Sequence, residues 1–161
     1  MSQQLIERFY QAFRELDADT MAASYAEHAR FQDGAFTLQG RREIGGMWRM
    51  LCEAVRAKGK DVWRLDYSGI RADSAKGVAH WEPHYRFSAT GRMVHNIIDA
   101  EFEFENGLIV AHRDHFDFNR WARQAIGPLP VLLLGWTPYL QNSVRKKAAE
   151  NLQRFLDRKS D

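Results

Sequence analysis

Gly107-Leu108-Ile109-Val110-Ala111-His112-Arg113-Asp114-His115-Phe116-Asp117 decides the fold class, because it sets an ionisable aspartate into a strand whose alternate positions are otherwise apolar. With Asn106-Gly107 as a hairpin turn, Leu108, Val110, His112, Asp114, Phe116 and Phe118 share one face. Ile109, Ala111, Arg113, His115 and Asp117 share the other. An inward carboxylate must be paired, hydrogen-bonded or shifted in pKa, so Asp114 is a site candidate with a physical reason behind it.

Working outward, the two-residue period continues backwards through Met93–Glu105, Val78–Phe87 and Val62–Ile70. These stretches are punctuated by Thr90-Gly91 and Ala72-Asp73-Ser74. Successive strands with such short connections pair most economically as an antiparallel meander. Upstream the period is helical. Leu5, Ile6, Phe9, Phe13 and Leu16 predict a first helix, Asp17 to Thr20 caps a second running through Tyr25, and Ile44, Met47, Trp48, Leu51 and Val55 predict a third ending near Gly59. Phe31 to Leu38 reads as a short strand and turn. Helices followed by a meander make the chain α+β.

The 161 residues fit one domain with a sizeable core. A formal charge of +2, from 23 basic and 21 acidic residues interspersed along the chain, offers no footprint for nucleic acid. Cys52 is alone, which excludes an internal disulfide and a multi-cysteine metal motif and fits a reducing cytoplasm. The first ten residues carry Glu7 and Arg8 and lack a signal-peptide core, and the apolar run Leu129 to Trp136 is too short to span a bilayer. The expectation is a soluble cytoplasmic protein that binds neither membrane nor nucleic acid.

Three stretches, in this order and spacing, resemble the nuclear transport factor 2-like superfamily, which includes ketosteroid isomerases, SnoaL-like polyketide cyclases and limonene epoxide hydrolases. Tyr25-Ala26-Glu27-His28-Ala29 is similar to the Y-A-x-D/H-A segment that closes helix two. Gly40-Arg41-Arg42-Glu43-Ile44 is similar to the G-R-x-x-I that opens helix three, and Gly107 to Asp117 resembles the G-x-I-x-x-W-R-D-Y-F-D strand of the epoxide hydrolase branch. The resemblance covers about residues 3 to 122. It implies a cone-shaped roll, a curved antiparallel sheet wrapped on three N-terminal helices around a pocket for an apolar small molecule. It also implies a homodimer. Residues 1–122 would form this domain, and 123–161 a C-terminal helical extension packed on it or on a dimer mate.

Carried over residue by residue, the resemblance sets Asp114 on the catalytic aspartate of the hydrolase strand. Asp33 falls both on an isomerase general base and on a hydrolase water-holding asparagine. The isomerase oxyanion tyrosine falls on Phe9, and the hydrolase Arg-x-Asp pair on Trp81 and Pro83, or on Glu82 and His84 with a one-residue slip. Neither reaction is inherited intact, and the fold alone settles no function.

Asp99 has two readings. With a two-residue turn it lies opposite Asp114 in the pocket; with a bulged three-residue turn it points outward against Arg113, with His95 against Asp117. The outward reading is favoured because Val94, Ile98, Ala100, Phe102 and Phe104 then point inward together. His112, two residues from Asp114 on the same face, is its candidate proton partner. Trp48, Trp81, Tyr85, Asn96 and Phe116 are candidate pocket walls, equally readable as core. His80, His84, His95 and His115 lie in alternating strands without metal-motif spacing, so neither a metal nor a cofactor is expected. Tyr139, Leu140, Val144, Ala148, Leu152 and Phe155 form an apolar helical stripe begun by Thr137 and Pro138, and Leu129 to Trp136 would cover apolar surface of the same domain or of a twofold mate, or form a lid over the cone's mouth. The expected activity is carboxylate acid–base chemistry, by Asp114, Asp33 and His112, on a small apolar substrate. The alternative is a non-catalytic ligand-binding or dimerising module.

Overall fold

A curved seven-stranded sheet carries the chain, in the order β2-β1-β7-β6-β4-β3 with β5 on β4. The computed structural model describes residues 1–134 and 138–160, so the predicted cap at Thr137, with Gly135 and Trp136, lies outside the described residues. The helices α1 (Ser2–Arg14) and α2 (Ala18–Ala23) open the chain, and β1 (Tyr25–Gln32) and β2 (Thr37–Gln39) precede α3 (Arg41–Lys58). The strands β3 (Arg64–Ala72), β4 (Lys76–Arg86), β5 (Met93–His95), β6 (Ile98–Glu105) and β7 (Leu108–His115) form the meander. The helices α4 (Phe118–Ala125), α5 (Pro128–Leu134) and α6 (Pro138–Ser160) follow it.

The α+β expectation stands. The inner sheet face is covered by α1 and α3 because their apolar positions recur at helical spacing, which buries Ile6, Phe9, Tyr10 and Phe13 against Ile44, Met47 and Trp48. Aromatic rings interlock there edge to face, with Phe13 and Trp48 5.0 Å apart and Phe9 and Trp48 5.7 Å apart. On β6 the alternation is complete: Ile98, Ala100, Phe102 and Phe104 are buried while Asp99, Glu101, Glu103 and Glu105 are exposed.

Several boundaries differ from the sequence reading. The segment read as the end of a helix, from Tyr25 on, is strand β1, because it pairs in parallel with β7 and antiparallel with β2. These are long-range pairings that local propensity does not register. The predicted strand Met93–Glu105 is broken at Asn96-Ile97, and Phe118 begins a helix whose cap is Asp117, accepting from the Arg120 N–H. Asp99 does point outward, but by another route. Asn106-Gly107 is a two-residue turn with both φ positive (51° and 75°), and a bulge at Val110 then restores the inward phase of His112 and Asp114. Asp99 therefore pairs with His115 rather than Arg113, and His95 pairs with His84 on β4 rather than with Asp117. The same bulge turns Ile109, which unbroken alternation sets on the outer face, fully into the core.

The C-terminal segment docks at two places. Leu152 and Leu156 of α6 lie on α3 at Gly46, where an added methyl would overlap Leu156; the glycine permits this close helix approach. Around the open end of the roll, Val131 and Leu140 join Trp121, Ala122, Ala125 and Val94 in a second apolar cluster. Val131 of this apolar run is buried, while Leu129, Leu132 and Leu133 face outward. No helix among the described residues is long and apolar enough to cross a membrane.

Candidate functional site

On the inner face of β7, His112 and Asp114 follow one another at the two-residue strand period, with side chains 0% and 2% exposed. The His112 imidazole is enclosed by Phe9, Tyr25, Phe31, Trp48 and Phe102. A polar ring in such surroundings must find partners on both nitrogens, and it does: Nδ1 lies 2.7 Å from the Tyr25 hydroxyl and Nε2 lies 2.9 Å from Asp114 Oδ1. The Trp48 indole N–H donates to the Tyr25 hydroxyl at 3.1 Å. The indole can only donate and the Asp114 carboxylate can only accept, and with the His112 tautomer that donates from Nε2 the chain runs from Trp48 N–H to Tyr25, Tyr25 O–H to His112 Nδ1, and His112 Nε2–H to Asp114. A second indole, Trp81, donates to the same Asp114 Oδ1 at 3.2 Å. Trp81 and Pro83 are the inward residues of β4, and Glu82 and His84 the outward ones, so the carboxylate faces an indole where the hydrolase pattern has charged groups.

Asp33 sits in the turn between β1 and β2, and its Oδ1 accepts the N–H groups of Ala35 and Phe36, each at 2.7 Å. Burial and the charge of Asp114 push its pKa up to about 6, against the lowering effect of those two bonds. The α6 helix reaches the same turn, where Gln141 Nε2 donates to the Gly34 carbonyl and Arg145 Nη2 to the Asp33 carbonyl. Tyr85, on β4, accepts the Trp121 indole N–H at 2.8 Å, and burial pushes its hydroxyl up to about 12.

Two tyrosines belong to this centre that the sequence reading does not single out. Tyr25 closes the hydrogen-bonded chain. Tyr10, fully buried, has a hydroxyl without a hydrogen-bond partner among the described residues, and burial together with the charge of Asp114 raises its pKa. A buried orphan hydroxyl is costly and calls for a partner. Phe9, the residue that falls on the isomerase tyrosine, is its immediate neighbour.

The remaining candidates divide. Trp48 and Trp81 are in the network, Phe116 bridges the two apolar clusters beside Gly34, and Asn96 is buried at the β5–β6 break with its Oδ1 accepting the Ile97 N–H. An open groove of about 790 Å³ lies on the other side of the sheet, lined by Arg30, Arg71, Lys76, Glu101 and Arg113, and neither Asp33 nor Asp114 lines it.

A sequence profile of the SnoaL-like domain matches residues 6–112. No curated protein sequence matches the chain. Among solved structures, an LEH-like epoxide hydrolase of M. tuberculosis superposes with a TM-score of 0.62 at 20% identity, over 82% of this chain and 94% of that one. A putative polyketide cyclase of Pseudomonas putida gives 0.61 at 18% identity, over 77% and 97%. A protein of ketosteroid isomerase-like fold from Catenulispora acidiphila, in complex with trimethylamine, gives 0.62 at 11% identity, over 78% and 95%. At these identities the likeness establishes the fold.

Proposed function

The chain belongs to the SnoaL-like domain family, and on that premise we propose that it is a small-molecule enzyme using carboxylate acid–base chemistry on a largely apolar substrate. Isomerisation, aldol-type cyclisation and opening of an epoxide or lactone are the reaction types this chemistry serves. The observation that carries the reading is the buried Asp114, held on one oxygen by His112 and Trp81, together with a fully buried Tyr10 whose hydroxyl has no partner among the described residues and is raised in pKa by burial and by the charge of Asp114.

Both hydrogen bonds to Asp114 among the described residues arrive at Oδ1, which leaves Oδ2 to take a proton from a substrate carbon or from an attacking water. The Tyr10 hydroxyl, kept protonated by its raised pKa, donates to the oxygen on which negative charge develops. Asp33, raised to about 6, can exchange a proton not far below neutral pH, so it returns the proton or holds the water. His112 and Tyr25 position Asp114 and need not touch the substrate. These groups supply the acid–base chemistry without a cofactor. Tyr85 and Phe116 would form the apolar mouth, with Asn96 beyond them.

The test is a thermal-shift screen of apolar ketones, lactones and epoxides, followed by turnover of the stabilising compounds by wild type and Asp114→Asn. A loss of about 10²- to 10⁴-fold is expected for removal of a general acid–base group. One observation favours a second reading, a non-catalytic ligand-binding module: Asp114 and His112 are closed in by aromatic side chains. On that reading Asp114→Asn leaves every measured property except binding unchanged.

A further inference from the structure

The outer face of the sheet carries four of the chain's six histidines, His80, His84, His95 and His115, none of them used by the acid–base centre. On β4 the sequence His80-Trp81-Glu82-Pro83-His84 places His80, Glu82 and His84 outward at the two-residue period. The β4–β5 ladder then sets His95 directly opposite His84, with ring centroids 4.0 Å apart and planes 16° from parallel.

We propose that Glu82, His84 and His95 form a binding site for a divalent transition-metal ion of the zinc class. Each offers one ligand atom, and these atoms all lie within 4.8 Å of one another. Zinc bonds to imidazole nitrogen and carboxylate oxygen at about 2.0–2.2 Å, so side-chain rotation brings the three donors to one ion without moving the strands. The stacked rings set the two imidazoles side by side, with a ring nitrogen of each within 4.8 Å of the other and of a Glu82 oxygen. Glu82 Oε2 lies 2.7 Å from His95 Nε2, a contact in which the ion would replace the proton.

The neighbouring groups select these three residues. Both nitrogens of His80 are engaged, Nδ1 with Asp99 at 2.8 Å and Nε2 with Glu82 Oε1 at 2.9 Å, so its ring is a donor that orients the Glu82 carboxylate rather than a ligand. Asp66, 3.7 Å from His84, is claimed by Arg64 through two hydrogen bonds. Two imidazoles among three donors favour zinc, nickel or copper over magnesium or calcium, and a water completes a four-coordinate ion. The backbone of His95 is held by α4, since its N–H donates to Gln124 and its carbonyl accepts from Arg120 and Gln124. A bound ion would therefore clamp β4 to β5 and α4 at the open end of the roll.

The experiment titrates tag-free full-length protein with zinc chloride by calorimetry, and with cobalt(II) by visible absorption. One saturable site with low-micromolar affinity and a rise in melting temperature is expected. His84→Ala and His95→Ala, both at partly exposed positions, should keep the native circular dichroism and weaken binding by at least about tenfold. His115→Ala, whose ring pairs with Glu101 on the same face, should leave it unchanged. Absence of saturable binding up to about 100 µM zinc, a weak affinity on any scale of specific sites, overturns the proposal. So does binding that persists in the His84→Ala/His95→Ala double variant.

Discussion

Asp114 is held at one oxygen by two donors that have no other acceptor among the described residues, His112 Nε2 and Trp81 Nε1. That arrangement predicts an ordered pair of mutants. Asp114→Asn keeps an oxygen for both donors, so its stability should stay within about 1 kcal/mol of wild type in urea unfolding. Asp114→Leu strands both donors in an apolar site and should cost about 2–6 kcal/mol, each unsatisfied group costing about 1–3 kcal/mol. Equal costs for the two would mean that the hydrogen bonds do not govern the site.

Asp33 gives a pH signature of the opposite sign from a surface ion pair. Its folded pKa, about 6, lies above the value near 3.8 of an unperturbed aspartate. The folded state therefore binds a proton that the unfolded chain has released, and stability falls as pH rises from about 4 through 6 and then levels off. The effect is bounded by about 3 kcal/mol, because each pH unit between the folded and unfolded pKa contributes about 1.4 kcal/mol. Asp33→Asn retains the oxygen that accepts from Ala35 and Phe36. It should be more stable than wild type at pH 8 and equal to it near pH 4, as read from urea midpoints across that range; a mutant equally affected at both pH values would refute the raised pKa. Asp114 and His112 stand out as candidates because they are polar groups within an alternating apolar pattern, whereas Asp33, which reads locally as a turn cap, is marked only by the family resemblance. Tyr10 and Tyr25 do not stand out, since a tyrosine at a core period looks like any other apolar residue until tertiary packing aims its hydroxyl.

The strand β7 shows what an element's sequence can and cannot say. Inward His112 and Asp114 follow from alternation, and so does the outward row of β6. Alternation cannot locate the bulge at Val110, because Leu108, Ile109 and Val110 are all apolar and either phase satisfies local burial. The bulge makes its own prediction: Ile109→Ala, at a fully buried position, should cost about 2–4 kcal/mol. The unbulged strand would put Ile109 at the surface, where a substitution changes stability by at most about 0.5 kcal/mol. Strand β1 escapes a local reading for a related reason. Its identity depends on β7, some eighty residues later along the chain, and nothing within Tyr25 to Gln32 encodes that partner.

At the scale of the whole molecule, the C-terminal helices join the roll by covering Gly46 of α3 and the second apolar cluster, and they touch the turn that carries Asp33. Truncation after Gly127 would remove Leu152 and Leu156 and uncover Trp121 and Val94 at once. Each such side chain contributes roughly 1.5–3 kcal/mol when fully buried, against a total stability of about 5–15 kcal/mol. The truncated protein should therefore melt well below the full chain or change its mass in solution by self-association, as calorimetry and light scattering would show. An unchanged melting temperature and mass would mean that the extension is dispensable to the fold.

The acid–base centre is tested most directly by the crystal structure of the protein with a compound that stabilises it in the thermal-shift screen. The compound's polar atom should lie within hydrogen-bonding distance of the Tyr10 hydroxyl and of Asp114, with its apolar body directed toward Tyr85 and Phe116. A compound bound instead in the outer groove beside Arg30 and Arg113, with Tyr10 still unpartnered, would contradict an acid–base role for Asp114.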